Sequence, residues 1–415
     1  MFELLSTRLK CVGLSIACIV VAICVLRTSL LAQAHQGLIA SAQGLSSASM
    51  STTAPSNQAC QARVNDTPEK LLQCIQQSSL WNHLAHFQKI SDEHKGSDGH
   101  GNRDTGTAGY KASVDYVAKL MRQAGYRVTI QTYQFDASEV TGVPKFAMPD
   151  QSYALTRDWL LARPSGQSVV DYNLIAESPF GDPNHTVVVE AHLDSIYGAG
   201  MLDNASGSTT MLEIALNMAK TPTRNQLRYI WFGGEELGLL GSAYYTTHLS
   251  SAERKRIAFD IDIDVTATPN FDIWIADPAF ALNVSQFPPN VVPQSKIGNR
   301  FFKDFFDSVG VVSQSSTFGN SGTDSNSFAL IGIPDSGILT RQDCCKGQSE
   351  VDIWGGFLGN YEGTIPGSDG GCVDRPNLWC DNLSNNDPFV LGLASKASAY
   401  VTLKMANHVF KANQP

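Results

Sequence analysis

Short apolar runs that alternate with helical patterns constrain this chain more than any other feature. Strand-length runs lie at 128–135, 172–176, 186–192, 227–232, 257–265, 271–276 and 333–339, and helical periodicity separates several of them at 208–218, 239–248, 300–309 and 388–409. Two helical stretches come earlier. One covers 68–90; in the other, from Ser113, Val114, Val117, Leu120 and Met121 share a face and Gly125 stands where a C-cap belongs. Strands alternating with helices predict an α/β fold, a single domain with a central mixed, largely parallel sheet covered by helices on both faces. The 415 residues, 43% of them hydrophobic, suffice for one large domain of this kind.

The N-terminus carries Arg8 and Lys10, then a mostly apolar stretch at 11–26, then Ala32-Gln33-Ala34. That order reads as an export signal over 1–34, with the mature chain starting near His35; an uncleaved membrane anchor is the rival reading. Residues 35–58 are rich in Ala, Ser, Gln and Thr and hold few large apolar groups, which predicts a flexible linker before a domain at 59–415. Six of the nine cysteines lie beyond the leader, an even number that suits an oxidising compartment. Cys60–Cys74 and Cys372–Cys380 would each close a short loop, leaving the neighbours Cys344 and Cys345 to bridge or to stay as thiols. No Cys-x-x-Cys spacing supports metal binding by these cysteines. Charged residues make up 17% of the chain and the net charge is −9, so there is no basic footprint for nucleic acid.

In a sheet of this kind ligands gather beyond the carboxyl ends of the strands, where His192, the pair Glu235 and Glu236, and Asp264 end or follow three different apolar runs. One histidine at a strand end is ordinarily structural, and one Glu-Glu pair ordinarily a solvated helix start. Four such positions converging point to a metal centre. Zinc takes imidazole nitrogen and carboxylate oxygen, and paired ions commonly share a carboxylate. Asp203, on the glycine-flanked loop 200–207, is placed to be that bridge. Of two adjacent glutamates only one can comfortably bind metal, which leaves the other free to take a proton from the attacking water.

The order Ala-His-Leu-Asp-Ser (191–195), Leu-Asp-Asn-Ala-Ser-Gly (202–207), Phe-Gly-Gly-Glu-Glu-Leu-Gly (232–238) and Asp-Ile-Asp-Val (262–265) resembles the M28 family of two-zinc aminopeptidases, its secreted bacterial and fungal members in particular. The resemblance runs from about Leu80 to Asn407 and takes in 101–110, 353–356 and 380–385. It implies that His192 and Asp264 bind one zinc, that Glu236 helps bind the second and that Asp203 bridges them. Glu235 would be the general base, and Asp194 would orient His192. The implied substrate is a peptide or protein with a free N-terminus.

The family's final ligand is a histidine in a Cys-Tyr-His segment, and no histidine stands there in this chain. Aligning on Cys372 puts Asp374 at the ligand position and Val373 in place of the tyrosine; aligning on Cys380 puts Asn377 there. Asp374 is the better zinc donor. The family's Ser-Asp-His is also altered, to Thr323-Asp324-Ser325, which would line the substrate pocket or cap a helix. Two other readings stay open: a non-catalytic binding module on this fold, and a carboxypeptidase or glutaminyl-cyclase activity on the same scaffold.

Overall fold

Consecutive buried residues, rather than alternating ones, mark the central strands. Val187, Val188 and Val189 are wholly buried, as are Tyr229, Ile230, Trp231 and Phe232, the pattern of strands covered on both faces. The computed structural model describes residues 55–96, 99–136, 168–316, 322–342, 345–362, 371–374 and 379–410. The expected leader, most of the expected linker, Cys344 and Asn377 lie outside them.

The strands are β1 (Arg127–Asp136), β2 (Ser168–Glu177), β3 (Asp182–His192), β4 (Asn225–Phe232), β5 (Ile257–Ile263), β6 (Trp274–Ala276), β7 (Gln314–Ser316) and β8 (Asp335–Leu339). They form one eight-stranded sheet in the order β1-β2-β4-β3-β5-β8-β6-β7. The four central strands β4, β3, β5 and β8 run parallel, while β2 joins β4, and β6 joins β8, antiparallel. The sheet is therefore mixed, with a parallel centre.

Helices follow as α1 (Asn57–Ala62), α2 (Pro68–Cys74), α3 (Gln77–Glu93), α4 (Ala108–Ala124), α5 (Ser206–Met218), α6 (Leu240–Thr247), α7 (Ser251–Arg256), α8 (Val291–Ser308), α9 (Ser325–Leu330), α10 (Gln348–Trp354) and α11 (Pro388–Ala406). Along β4 alternate side chains choose opposite faces. Ile230 and Phe232 cluster with Tyr245 of α6 and Phe328 of α9, whereas Trp231 donates from Nε1 to Ser208 of α5 at 3.3 Å. Helices thus cover both faces. At α4 the Thr107 hydroxyl accepts the Tyr110 N–H at 3.2 Å, and Gly125 ends the helix at φ +98°, where a left-handed residue is needed.

The expected helix at 68–90 is two helices. Ile75, at φ −81° and ψ 90°, leaves the helical region directly after Cys74, which is tied to Cys60 by a disulfide. Cys372 and Cys380 form a second disulfide. The helix expected at 300–309 starts earlier, at Val291, because Pro293 falls in its first turn, where no intrahelical N–H is required. Residues 347–357 group apart from the body; within them Glu350 caps α10 by accepting the Gly347 N–H at 2.5 Å. Among the described residues no helix is long and apolar enough to cross a membrane.

Candidate metal centre

Turns at the carboxyl ends of β3, β4 and β5 deliver the polar groups. β3 ends on His192, whose Nδ1 lies 3.2 Å from the Asp194 backbone oxygen and 3.6 Å from Asp194 Oδ1. Nδ1 thus faces Asp194, and Nε2 faces the groups beyond. Those are Asp203 Oδ1 at 2.9 Å, Asp264 Oδ1 at 3.4 Å and Glu235 Oε2 at 3.9 Å. After β4 the chain turns at Gly233-Gly234. Gly234 sits at φ +68°, and a Cβ on Gly233 would stand 2.3 Å from the Tyr110 hydroxyl oxygen, so both positions need glycine. The turn aims the N–H groups of Glu235 and Glu236 at Asp194 Oδ1 (3.3 Å) and Oδ2 (3.4 Å), and Thr105 donates to Asp194 Oδ2 at 2.6 Å. Asp194 therefore braces the histidine and the glutamate pair against each other.

Asp203 lies on the turn Met201–Ala205, and its neighbour Asn204 pins that turn to the end of β5. Asn204 Oδ1 accepts from Val265 N at 3.1 Å and from Gly207 N at 2.8 Å, and Nδ2 donates to Ile263 O at 3.0 Å. Asp203 and Asp264 are thereby held side by side. Arg103, wholly buried, supports the same loop with bonds of 2.8, 2.7 and 2.7 Å to the carbonyls of Ala199, Leu193 and Gly200.

The charges at this point do not balance. Burial alone would lower the affinity of His192 for its proton, but Glu235, Asp194, Asp203 and Asp264 together hold the imidazole well above its ordinary value. Burial pushes the Glu235 and Glu236 carboxyls well up, with nearby carboxylates adding to the shift. Asp203 is raised by burial and then by Asp264. Asp264 Oδ1 and Glu236 Oε1 are buried with no hydrogen-bond partner. His192, Asp203 and Glu236 place donor atoms within 4.8 Å of one another. One imidazole with several desolvated carboxylates is the donor set that divalent zinc satisfies.

Residues 173–353 match Peptidase family M28. They belong to that family. The span holds His192, Asp203, Glu235, Glu236 and Asp264, but not Asp374. Leupeptin-inactivating enzyme 1 of Streptomyces exfoliatus is 32% identical over 326 residues, 77% of this chain and 60% of that protein. An aminopeptidase of Pseudomonas aeruginosa is 33% identical over 233 residues, 56% of this chain and 40% of that protein. The chain thus spans about half the length of the curated relatives it matches. An aminopeptidase from Aneurinibacillus sp. strain AM-1 superposes with a TM-score of 0.58 at 16% identity, covering 84% of this chain and 98% of that one. A zinc aminopeptidase from Bacillus subtilis gives 0.53 at 18%, covering 79% and 95%. At these identities the likeness shows the fold.

Beyond the M28 span, Asp374 follows Val373 in the Cys372–Cys380 loop at φ +51°. Its carboxylate is one of those that raise the Glu236 carboxyl, after burial itself. The rival position, Asn377, lies outside the described residues. Asp324 precedes α9 but makes no side-chain capping bond, while its neighbour Thr323 donates to Asp262 Oδ2 at 2.7 Å. Sequence reasoning missed Gln342, whose side chain acts against the rise that burial gives the Asp203 carboxyl. Its signal was available, since it follows the carboxyl end of an expected strand. It also gave no role to Arg103, Glu362 or Asp381.

Beneath the centre the M28 sheet carries a column of acids. Glu190 pairs with Asp262 across β3 and β5, and Asp260 with Asp335 across β5 and β8. With Asp324 they make five carboxyls, none more than 4% exposed. Among the described residues no well-formed hydrogen bond reaches either oxygen of Glu190, Asp260 or Asp324, or Oδ2 of Asp335. Burial pushes all five up, Asp262 to about 7, so the column keeps protons that exposed carboxyls would lose. For Asp335 the folded state binds its proton more tightly than the unfolded chain does. Its contribution to stability is thus greatest below about pH 4 and is lost as pH rises through the folded value. Asp335→Asn removes that dependence and is expected to stabilise the protein at pH 8 by roughly 1–3 kcal/mol, the penalty of an unmatched buried polar group. Urea unfolding of both proteins from pH 4 to 8 checks this; a difference that grows toward acid pH would refute it.

Proposed function

We propose that the chain is an exported zinc aminopeptidase that removes the N-terminal residue of peptides or proteins. The observation that carries this reading is the meeting of His192, Asp203, Glu235, Glu236 and Asp264 around one point, with carboxylate oxygens left unpartnered. In this reading His192 and Asp264 hold one zinc, Glu236 and Asp374 the second, and Asp203 lies between them. Bound there, the zinc pair would polarise the scissile carbonyl and make water a stronger acid. Glu235, whose carboxyl burial makes a stronger base, takes the proton of the attacking water and returns it to the leaving amine. The surrounding acids attract the substrate's α-ammonium group. The Val373 side chain offers no hydrogen-bond donor where a tyrosine hydroxyl would, and Gln342 supplies a neutral amide near the bridging carboxylate. The leader-like N-terminus and the disulfides Cys60–Cys74 and Cys372–Cys380 support export.

Aminoacyl p-nitroanilides test the reading directly. Turnover is expected to need a free α-amine, to stop with chelator and to return with zinc. Equal cleavage of N-acetylated substrates would rule out an aminopeptidase. Ring closure of N-terminal glutamine would indicate a cyclase, release of C-terminal residues a carboxypeptidase, and zinc binding without any turnover a binding module.

A further inference from the structure

The bridging-ligand loop and the segment carrying Asp374 are about 170 residues apart in sequence, yet one buried network joins them. Asp381 Oδ1 accepts the Leu202 N–H at 2.8 Å, and Oδ2 accepts the Asp203 N–H at 3.1 Å. The Asp381 carbonyl takes the Met201 N–H at 3.3 Å, so three successive amides of the metal loop end on one residue. Glu362 does the same for the other segment. Its Oε2 accepts the Cys372 N–H at 2.6 Å, and both its oxygens lie 3.3 Å from the Val373 N–H. Asn385 links the two carboxylates: Nδ2 donates to Glu362 Oε2 at 2.8 Å and to Asp381 Oδ1 at 3.3 Å. The Cys372–Cys380 disulfide closes the loop immediately before Asp381. Glu362 and Asn385 are wholly buried and Asp381 is 7% exposed, so water does not compete for these bonds.

We propose that Glu362, Asp381 and Asn385 are positioning residues that lock the Asp203 loop to the Cys372–Asp374 segment and thereby set occupancy of the second metal position. The proposal rests on the zinc-peptidase reading. In the bonds given above, each donor is a backbone N–H or the Asn385 amide, and each acceptor is a side-chain oxygen or the Asp381 carbonyl. The pattern therefore allows no exchange of donor for acceptor. Gln at position 362 would turn an NH2 group toward the Cys372 or Val373 N–H, two donors face to face. The segment bearing Asp374 would then lose its anchor while Asp203 kept its own. Small displacements of ligand-bearing segments are what weaken metal sites, and loss of such outer partners typically costs about 10–100-fold in metal affinity or activity.

The test is zinc titration of chelator-stripped protein by calorimetry, with element analysis of the reloaded protein, for the wild type, Glu362→Gln and Asn385→Ala. The wild type is expected to take up two zinc ions. In Glu362→Gln the weaker ion is expected to bind roughly 10–100-fold less tightly, with the tighter ion unchanged. kcat on a leucyl substrate is expected to fall with KM little altered, and to recover in excess zinc. A residue that only stabilised the fold would lower the melting temperature without moving the second zinc affinity or the zinc rescue. Should Glu362→Gln not fold, Asn385→Ala carries the test, because it keeps both carboxylates and their backbone donors and removes only the tie. Variants with wild-type affinities for both ions overturn the proposal, as does a wild type that binds fewer than two. A wild type that binds two zinc ions but cleaves no aminoacyl substrate defeats the peptidase reading instead, and the clamp is then judged on zinc affinities alone.

Discussion

Glu235→Gln will lower kcat by about 10²–10⁴-fold while leaving zinc content and KM near wild-type values. The side chain approaches the centre without being its closest donor: Oε2 is 3.9 Å from His192 Nε2, against 2.9 Å for Asp203. Its backbone N–H is held by Asp194, and the glycine turn before it allows one direction of approach. Gln keeps that shape and that backbone bond, so the centre stays assembled. What it loses is the capacity to accept a proton, which burial has made strong in Glu235. Glu236→Gln is the informative contrast. Glu236 lies within 4.8 Å of both His192 and Asp203 donors, so its neutral amide will cost zinc before it costs proton transfer. Steady-state kinetics with zinc analysis of both variants separates the two roles. Wild-type kcat in Glu235→Gln would remove the base from the proposed mechanism, and equal zinc loss in both would make Glu235 a ligand.

The parts of the molecule that could be read from the sequence share a local cause. Central strands announce themselves because burial on both faces demands unbroken apolar runs, as in Val187–Val189 and Tyr229–Phe232. His192, Glu235, Glu236 and Asp264 could be found because they sit at or just beyond the ends of such runs, and Asp203 because glycines flank its loop. β7 could not be found this way: Gln314-Ser315-Ser316 is a three-residue edge strand whose only sheet partner is β6, so nothing requires it to be apolar. α7 was missed for a related reason, since none of its residues is buried and it has no apolar face to show. Its Ser250 and Glu253 nonetheless form a capping box that was present in the sequence. The supports of the centre were unreadable because their partners are remote. Asp381 meets the Leu202 amide across 179 residues, and Asn385 meets Glu362 across 23. No periodicity or spacing rule reaches over those distances. The acid column was hidden differently. Asp260 and Asp262 looked like the polar tail of a strand, and only the register of β5 against β3 and β8 sets them beside Glu190 and Asp335.

Arg103→Met will destabilise the protein by about 3–5 kcal/mol, the typical cost of removing one partner from a buried charged group. Few side chains in the structure satisfy so much at once. Its guanidinium donates to three carbonyls between Leu193 and Gly200 and lies 5.2 Å from the centre of the Phe87 ring. Its backbone N–H is 3.2 Å from the Ser195 hydroxyl, and its backbone oxygen accepts the Ser195 N–H at 3.2 Å. Burial lowers its affinity for its proton to about 10, and Asp381, Asp194 and Asp104 oppose that shift, so it remains the cation that offsets these acids. Methionine fills much of the volume and retains the contact with Phe87, but it leaves three carbonyls unbonded and the acids uncompensated. Arg103→Lys keeps the charge but offers a point donor where a planar fork reaches carbonyls in three directions, so it will recover only part of the loss. Urea unfolding of metal-free protein gives the stability term free of zinc linkage, and zinc titration of the folded variants gives the effect on the centre. Because Leu193 and Gly200 bracket the route from His192 to Asp203, zinc affinity will fall along with stability. A variant that unfolds more easily yet binds zinc as the wild type does would show that the Asp194 brace and the Asn204 pin hold the ligands without help from below.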